Sequence, residues 1–216
     1  HQYSLSTPWD LSTGNVVYDN KSFDIGSNDG TARGIHFRSD GTKMFMVGST
    51  SDSIHQYSLS TPWDLSTGNV VYDNKSFSVN SEESLPLSIH FKNDGTKVFI
   101  SGFFSGKVHQ YSLSTPWDIS TTSYDNKSLD VSTESNTPFG IHFRNDGLQM
   151  FMVGDQVYQY NLSTPWDISS ALYDNKSFNL NTEDTNPNSI YFKDDGSKMF
   201  MLGGISDKVF QYTLTN

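Results

Sequence analysis

Cysteine is absent from this sequence. That excludes disulfides and thiolate metal sites, and it leaves the redox compartment open. Basic residues are scarce, 14 Lys and Arg against 24 Asp and Glu, for a net charge of -10. An acidic surface repels phosphate backbones, so nucleic acid is not expected as a partner, and adhesion to anionic membranes is disfavoured. No apolar run approaches the roughly 20 residues that span a bilayer, which argues against membrane insertion. No stretch sustains a 3.6-residue apolar period, so no helix of normal length is expected. A starting Met and a charged-then-apolar leader are also missing, which reads as a processed product or a piece of a longer chain. What the chain does have is 14% aromatic residues, too many for a disordered polymer, set among abundant Ser, Thr, Asn, Asp and Gly. This composition fits a polar-surfaced all-β protein and suggests an extracellular location or one on a cell or virion surface.

The phrase HQYSLSTPWD begins at His1 and returns at His55 and His109. A near copy, YQYNLSTPWD, begins at Tyr158, and FQYTLTN runs from Phe210. Spacings of about 50 residues are a sign of repeat architecture, to be weighed before any residue-level reading. Residues 1–23 and 55–77 are identical letter for letter. The expected organisation is one domain, 1–216, of four repeats starting at 1, 55, 109 and 158, with a partial fifth copy at 210.

Each repeat reads as four short strands, A to D. Strand A (34–41, 88–95, 140–147 and 189–196) ends in Asp-Gly, the strongest short hairpin signal. It predicts a type I′ turn with both central residues at positive φ. Strand B, typified by TKMFMVG, is apolar without alternation, the pattern of a strand covered on both faces. Strand C is the opening phrase itself. Strand D carries YDNKS; Val16 and Tyr18 fall on one parity, Phe23 and Ile25 on the other. One face cannot take both pairs without an extra residue, so a bulge is expected near Asp19 and Asn20.

The run IHFRSDGTKMFMVGS, followed by IHQYSLST, resembles the blade core of WD-type, NHL and lactonase-like β-propeller repeats. It is similar to uncharacterised propeller repeats of marine bacterial and phage surface proteins. The resemblance covers essentially the whole chain. It implies an all-β, four-bladed β-propeller of four-stranded antiparallel blades, with strand A innermost and strand D outermost. Such rings commonly close by mixing strands from both chain ends. Here strand D at about 16–25 would join strands A, B and C from 189–216. That leaves one surplus strand, residues 1–6. It lies outside the ring, or it takes the slot and displaces 210–215 onto a neighbour as an edge for self-association. A larger ring built from two or more chains and an open array are the other outcomes.

Candidate site residues fall at repeated positions. His36, His90 and His142, with Tyr191 as the fourth member, share one place in strand A and are expected around the central channel. Three imidazoles could ligate a metal or an anion, but hydrogen bonds between blades explain them better, so no metal and no other cofactor is expected. His1, His55 and His109 give way to Tyr158 and Phe210, a pattern of packing. Trp9, Trp63, Trp117 and Trp166 lie in the C–D connections, each followed by an aspartate: Asp10, Asp64, Asp118 and Asp167. Tryptophan beside a carboxylate can stack on a pyranose. A plug between blades, with Pro and Asp shaping the turn, is the stronger reading. The D–A and B–C connections vary and lie on the opposite face. They carry Asp29, Glu82, Glu83, Glu134, Glu183 and Asp184, a rim that could take Ca²⁺ but reads better as solvated. Phe103 and Phe104 are unusual in such a loop and mark a contact. Asn20, Asn74, Asn126 and Asn175 match the glycosylation acceptor pattern, which a bulge role explains without glycans.

Catalysis requires one asymmetric constellation of unlike groups. Nearly every candidate here is copied around the repeat. The expected function is therefore a non-enzymatic extracellular repeat protein, a binding or adhesion module or a structural assembly unit. Its expected partner is a protein or a glycan at a propeller face, with self-association through the surplus strand. The alternatives are a lectin-like carbohydrate binder at the Trp loops and a lactonase-like propeller hydrolase.

Overall fold

The computed structural model describes residues 1–215. Three blades have four antiparallel strands in chain order. The first is β3 (Ala32–Phe37), β4 (Lys43–Gly48), β5 (Ser53–Leu59) and β6 (Val70–Ser78). The second is β7 (Pro86–Phe91), β8 (Lys97–Gly102), β9 (Lys107–Leu113) and β10 (Thr122–Asp130). The third is β11 (Gly140–Phe143), β12 (Gln149–Val153), β13 (Gln156–Leu162) and β14 (Ala171–Asn179). The fourth has three strands, β15 (Pro187–Phe192), β16 (Lys198–Gly203) and β17 (Val209–Thr213), and β1 (Gln2–Leu5) pairs with β2 (Val16–Lys21) as a separate hairpin. The only helical turns among the described residues are two 3₁₀ segments, Ile119–Thr121 and Ile168–Ser170.

The blades stand in a propeller arrangement. The A strands β3, β7, β11 and β15 run side by side around the axis. The core lies between blades. Phe45 and Val47 of the first cluster with Ile89 and Phe91 of the second. Phe99 of the second clusters with Ile141 and Phe143 of the third, and Val153 of the third with Ile190 and Phe192 of the fourth. The B strands β4 and β8 are buried from their second residue onward on both faces, which is why their sequences do not alternate.

The D strand carries the expected bulge. Tyr57 pairs with Tyr72 while the preceding Gln56 pairs with Lys75, leaving Asp73 and Asn74 opposite nothing. Asn20, Asn74, Asn126 and Asn175 take φ of 56°, 54°, 55° and 54°, the left-handed region that asparagine tolerates better than most residues. The Asn-Lys-Ser motif thus marks a backbone requirement. The A–B turn differs from expectation. Only glycine goes left-handed, Gly41 at φ 72°, and the Gly41 N–H donates to the Arg38 carbonyl at 2.8 Å. The reversal is therefore a four-residue turn ending in a left-handed glycine, with the Asp40 carboxylate accepting from the Thr42 N–H at 3.0 Å. A two-residue I′ turn would have needed positive φ at the aspartate as well.

Ring closure also takes a form of its own. In place of a blade mixed from both chain ends, β2 pairs with β1, and β17 has a partner on one side only. The hairpin is local: ten residues join its strands, so loop closure costs far less entropy than pairing β2 with β17 across the whole chain. The hairpin nevertheless holds a ring position. Four of the five C strands offer a glutamine whose Oε1 accepts the backbone N–H two residues beyond the tryptophan of the next place around the ring. Gln56 accepts from Ile119 at 3.0 Å, and Gln110 accepts from Ile168 at 2.8 Å. Gln2 of the hairpin accepts from Leu65 of the first blade at 2.9 Å, and Gln211 of the fourth blade accepts from Leu11 of the hairpin at 2.8 Å. The hairpin is thus an outer half-blade, strands C and D without A and B, between the fourth blade and the first.

Gln110 is buried, and its Nε2 also donates to Asp125 at 2.6 Å. Gln110→Ala strands a buried N–H and a carboxylate lone pair at once. Stability in urea should fall by about 2 to 3 kcal/mol. A loss below about 0.5 kcal/mol, the size of an ordinary surface change, would show that the glutamine does not join the blades.

Candidate functional site

The four tryptophans have the same unusual backbone, with φ of 61°, 60°, 62° and 59° at Trp9, Trp63, Trp117 and Trp166. A bulky side chain in the left-handed region costs on the order of 1 to 3 kcal/mol unless its surroundings hold it there. Two things hold it. The Trp63, Trp117 and Trp166 N–H groups donate to the carbonyls of Gly41, Gly95 and Gly147, each at 3.1 Å. Each indole then lies on that same glycine, where an added Cβ would fall inside the ring.

A complete seat for the indole has three aromatic walls. Trp117 meets Phe91 of its own blade at 5.3 Å between ring centroids, and Phe45 and His36 of the preceding blade at 5.9 and 6.3 Å. Trp166 repeats this with Phe143, Phe99 and His90 at 5.5, 6.2 and 6.3 Å. Both are buried, 8% and 6% exposed. Trp9 has only the preceding-blade half of a seat, Tyr191 at 5.8 Å and Phe200 at 5.9 Å. Trp63 has only its own-blade half, Phe37 at 5.4 Å. They remain 38% and 51% exposed, because the hairpin between them has no inner strands.

The aspartates after the tryptophans shape and tie these loops. Asp64, Asp118 and Asp167 pair with Lys21, Lys75 and Lys127 of the preceding D strand at 3.1, 2.7 and 2.6 Å. Each aspartate also accepts from the backbone N–H two residues on. The Ser66 hydroxyl and N–H, with Lys21 beside them, hold Asp64 down to about 2. Asp10 caps Ser12 in the same way but has no lysine in ion-pair range among the described residues. The structure therefore does not gather the four Trp–Asp pairs into one pocket; it spreads them between blades.

The axial residues do come together. His36, His90, His142 and Tyr191 stand edge to face in a file, at 5.3, 5.2 and 5.0 Å between successive centroids. Burial pushes the His36 and His142 imidazoles down to about 4, with the charge of His142 adding to the effect at His36. Burial drives His90 well below the usual histidine range, and its two neighbours drive it further. Neutral rings, those of His36 and His90 stacked on Trp117 and Trp166, pack the axis. Among the described residues no group of three or more His, Asp or Glu is placed to hold a metal ion.

On the varied face the expected solvated acidic rim holds at the exposed Glu183 and is corrected at three of its members. Asp29, Glu83 and Asp184 are buried. Asp29 accepts from the Thr31, Thr50 and Ser51 N–H groups, and Glu83 from those of Leu85, Phe104 and Ser105. Asp184 accepts from Asn186, Ile205 and Ser206. These carboxylates lock the B–C loops from beneath. Of the outer members, Glu82 accepts from the Tyr111 hydroxyl and Glu134 from the Tyr160 hydroxyl, at 3.4 and 3.1 Å. His55 and His109 are buried, each with Nε2 3.0 Å from a serine hydroxyl, Ser51 and Ser105. Those hydroxyls donate to Asp29 and Glu83. The acid sits on the serine and does not orient the histidine, so this is no nucleophilic triad. Phe103 and Phe104 stand free on this face, 43% and 69% exposed.

Sequence reasoning missed the clamping glutamines and the buried carboxylates. The glutamine at the second place of all five phrases was a usable signal. The carboxylates gave none, since Ser135 stands at the matching place in the third blade.

No protein-family model matches the sequence, and no curated protein is significantly similar to it. Solved structures share its fold. A candidate 6-phosphogluconolactonase from Bacteroides uniformis is 14% identical with a TM-score of 0.54, over 85% of this chain and 53% of that one. The periplasmic gluconolactonase of Pseudomonas aeruginosa is 15% identical with a TM-score of 0.52, over 85% of this chain and 50% of that one. A chain of a nidogen–laminin complex is 13% identical with a TM-score of 0.53, over 84% of this chain and 60% of that one. The chain therefore spans between half and three-fifths of these proteins. At such identity the likeness establishes the β-propeller fold alone.

Two outcomes follow from the seats and the axis. Trp117→Ala should cost about 3 to 5 kcal/mol, as for a buried tryptophan in a core. Trp63→Ala should cost less than half of that, and equal losses in equilibrium unfolding would refute the half-seat description. The second outcome concerns pH. A histidine whose folded pKa lies below its unfolded value of 6.5 favours folding only while neutral. Its contribution is complete above about pH 6.5 and is lost as pH falls toward 4, by up to about 3 kcal/mol for His142. His142→Gln should flatten the stability profile between pH 6.5 and 4; an unchanged slope would clear the axial histidines of that role.

Proposed function

We propose that this chain is a non-catalytic binding and assembly module that works outside the cell or on a virion surface. One observation carries the reading. The repeated groups with chemical potential are engaged in joining blade to blade: the carboxylates in caps and ion pairs, the histidines in the axial stack, two tryptophans in complete seats. What the fold leaves over is contact surface, the Phe103–Phe104 pair. A protein partner at the varied face suits two adjacent exposed phenyl rings, 5.5 Å apart and T-shaped, which are costly to leave in water.

The names of the lactonases among the similar structures favour a second reading, a lactone hydrolase. The half-exposed Trp9 and Trp63 favour a third, a carbohydrate binder. Gluconolactone turnover and glycan-array binding separate the three. The assembly reading expects neither signal above background. Saturable lactone turnover, or glycan binding lost in Trp63→Ala, would replace it. Phe103→Ser with Phe104→Ser should change folding stability by no more than about 0.5 kcal/mol each, as surface positions do. A larger loss would mean the pair serves the fold and is not spare surface.

A further inference from the structure

The third blade departs from the others on the varied face. In the first, second and fourth blades a buried carboxylate lies beneath the glycine at the end of strand B, and the B–C loop folds down onto it. In the third blade Ser135 takes that place beneath Gly154. Two residues, Gly154 and Asp155, join β12 to β13, where the other blades use four or five. A loop so short cannot cover the adjoining connection, and serine has no carboxylate to draw it down. The space that longer loops fill elsewhere is left as a cavity of about 340 Å³, within the range of small-ligand sites. Its walls come from the connection that precedes β11, the short loop, and the connection that precedes β15.

We propose that this cavity receives a lysine side chain of a protein partner docked on the varied face. Glu134 and Asp155 both stand in the lining, which contains no Lys, Arg or His. Tyrosines hold the two carboxylates in place. The Tyr160 hydroxyl donates to Glu134 Oε2 at 3.1 Å, and the Tyr158 hydroxyl to Asp155 Oδ1 at 2.8 Å. Among the described residues the second oxygen of each has no donor, and neither carboxylate is ion-paired. An ammonium group has three donors to divide between two separate oxygens. A guanidinium fork wants both oxygens of one carboxylate, and here one of each is already taken. Phe139, half-buried in the same lining, gives the alkyl stem an apolar wall. Asn136 and Asn186, from different connections, have carboxamides without partners among the described residues, available to the peptide groups that flank a lysine. A metal ion fits less well, since among the described residues no third acid joins the two.

The cavity is joined to the loop of the phenyl pair. The connection that precedes β11 donates the Val131 N–H to the Gly106 carbonyl at 3.1 Å, and its Pro138 carbonyl accepts from the Ser101 hydroxyl at 2.8 Å. One short segment thus links an apolar anchor, Phe103 and Phe104, to a pocket for a cation. The chain's net charge of -10 draws a basic partner toward both and repels an acidic one. The inference rests on the reading of this face as a protein contact and adds the chemistry of the partner. Lactone turnover or glycan binding would refute that reading and leave the titration described next unmoved, so the two fail separately.

The probe is N-acetyl-lysine methylamide, titrated into the isotope-labelled full chain and followed by backbone amide chemical shifts. Saturable shifts are expected at residues 134–137 and 154–155. N-acetyl-norleucine methylamide has the same stem without the charge and should give none. Asp155→Asn and Glu134→Gln each keep an acceptor for the tyrosine hydroxyl and should each weaken lysine binding about three-fold. Glu82→Gln, outside the cavity, should leave it unchanged. Pentylamine has the stem and the charge but no peptide groups, and it should bind several-fold more weakly than the lysine derivative. Asn136→Ala with Asn186→Ala should erase that difference. No saturable shift, equal shifts from the norleucine derivative, or lysine binding undiminished in both carboxylate variants overturns the pocket. Pentylamine binding as tightly as the lysine derivative overturns a partner's lysine as the occupant, in favour of a free small amine. The norleucine and pentylamine arms use the wild-type chain and stand even where a variant fails to fold.

Discussion

The fold depends on a tryptophan held in a backbone conformation that tryptophan avoids. All four Thr-Pro-Trp-Asp loops turn left-handed at the indole, and those of Trp63, Trp117 and Trp166 donate the tryptophan N–H to the carbonyl of a left-handed glycine and lay the ring over that glycine. The local strain is tolerable only because the indole joins three aromatic walls from two blades. The same contact sets the angle between neighbours, since the ring must reach the preceding blade's B-strand phenylalanine and axial histidine together. Blade packing, axial stacking and loop shape are thus consequences of one seat repeated.

From this follows the pattern of exposure. Trp117 and Trp166 sit between complete blades and are buried. Trp9 and Trp63 flank a half-blade and are not, although their sequences match those of the buried loops. Identical phrases therefore have different energetic weight, decided by what stands next to them around the ring. The ion pairs follow the same geometry. Lys75 and Lys127 bridge forward to the next loop, and Lys176 turns back to Asp174 of its own strand.

Much of this was legible in the residues. The unalternating B strand, the parity conflict at Asp19 and Asn20, and the plugging role of a tryptophan with an apolar Leu or Ile two residues on are statements about local burial and period, which a sequence carries directly. The turn type was not. Asp-Gly signals a reversal, but one left-handed glycine or two left-handed residues satisfy the same letters, and here the indole above Gly41 selects the former. The acidic rim misled for a related reason. Asp29, Glu83 and Asp184 look exposed on composition, and only the path of the B–C loop places a fan of N–H groups over them. Closure was misjudged because homology between ends makes a mixed blade attractive, while chain entropy favours the local β1–β2 hairpin.

A propeller copied from one phrase makes its own scaffolding look like function, because any useful side chain appears four times. Information about activity then lies in departures from the repeat. Two aromatic departures stand out here. Phe103 and Phe104 replace short polar loop residues, and Tyr191 ends the histidine file. The phenyl pair is the more informative physically, because the blade does not need it: its B–C loop is already locked from beneath by Glu83, which accepts from the N–H groups of Phe104 and Ser105. Two apolar rings carried on a loop fixed in this way reach the solvent already ordered, which is the condition under which a small contact binds well.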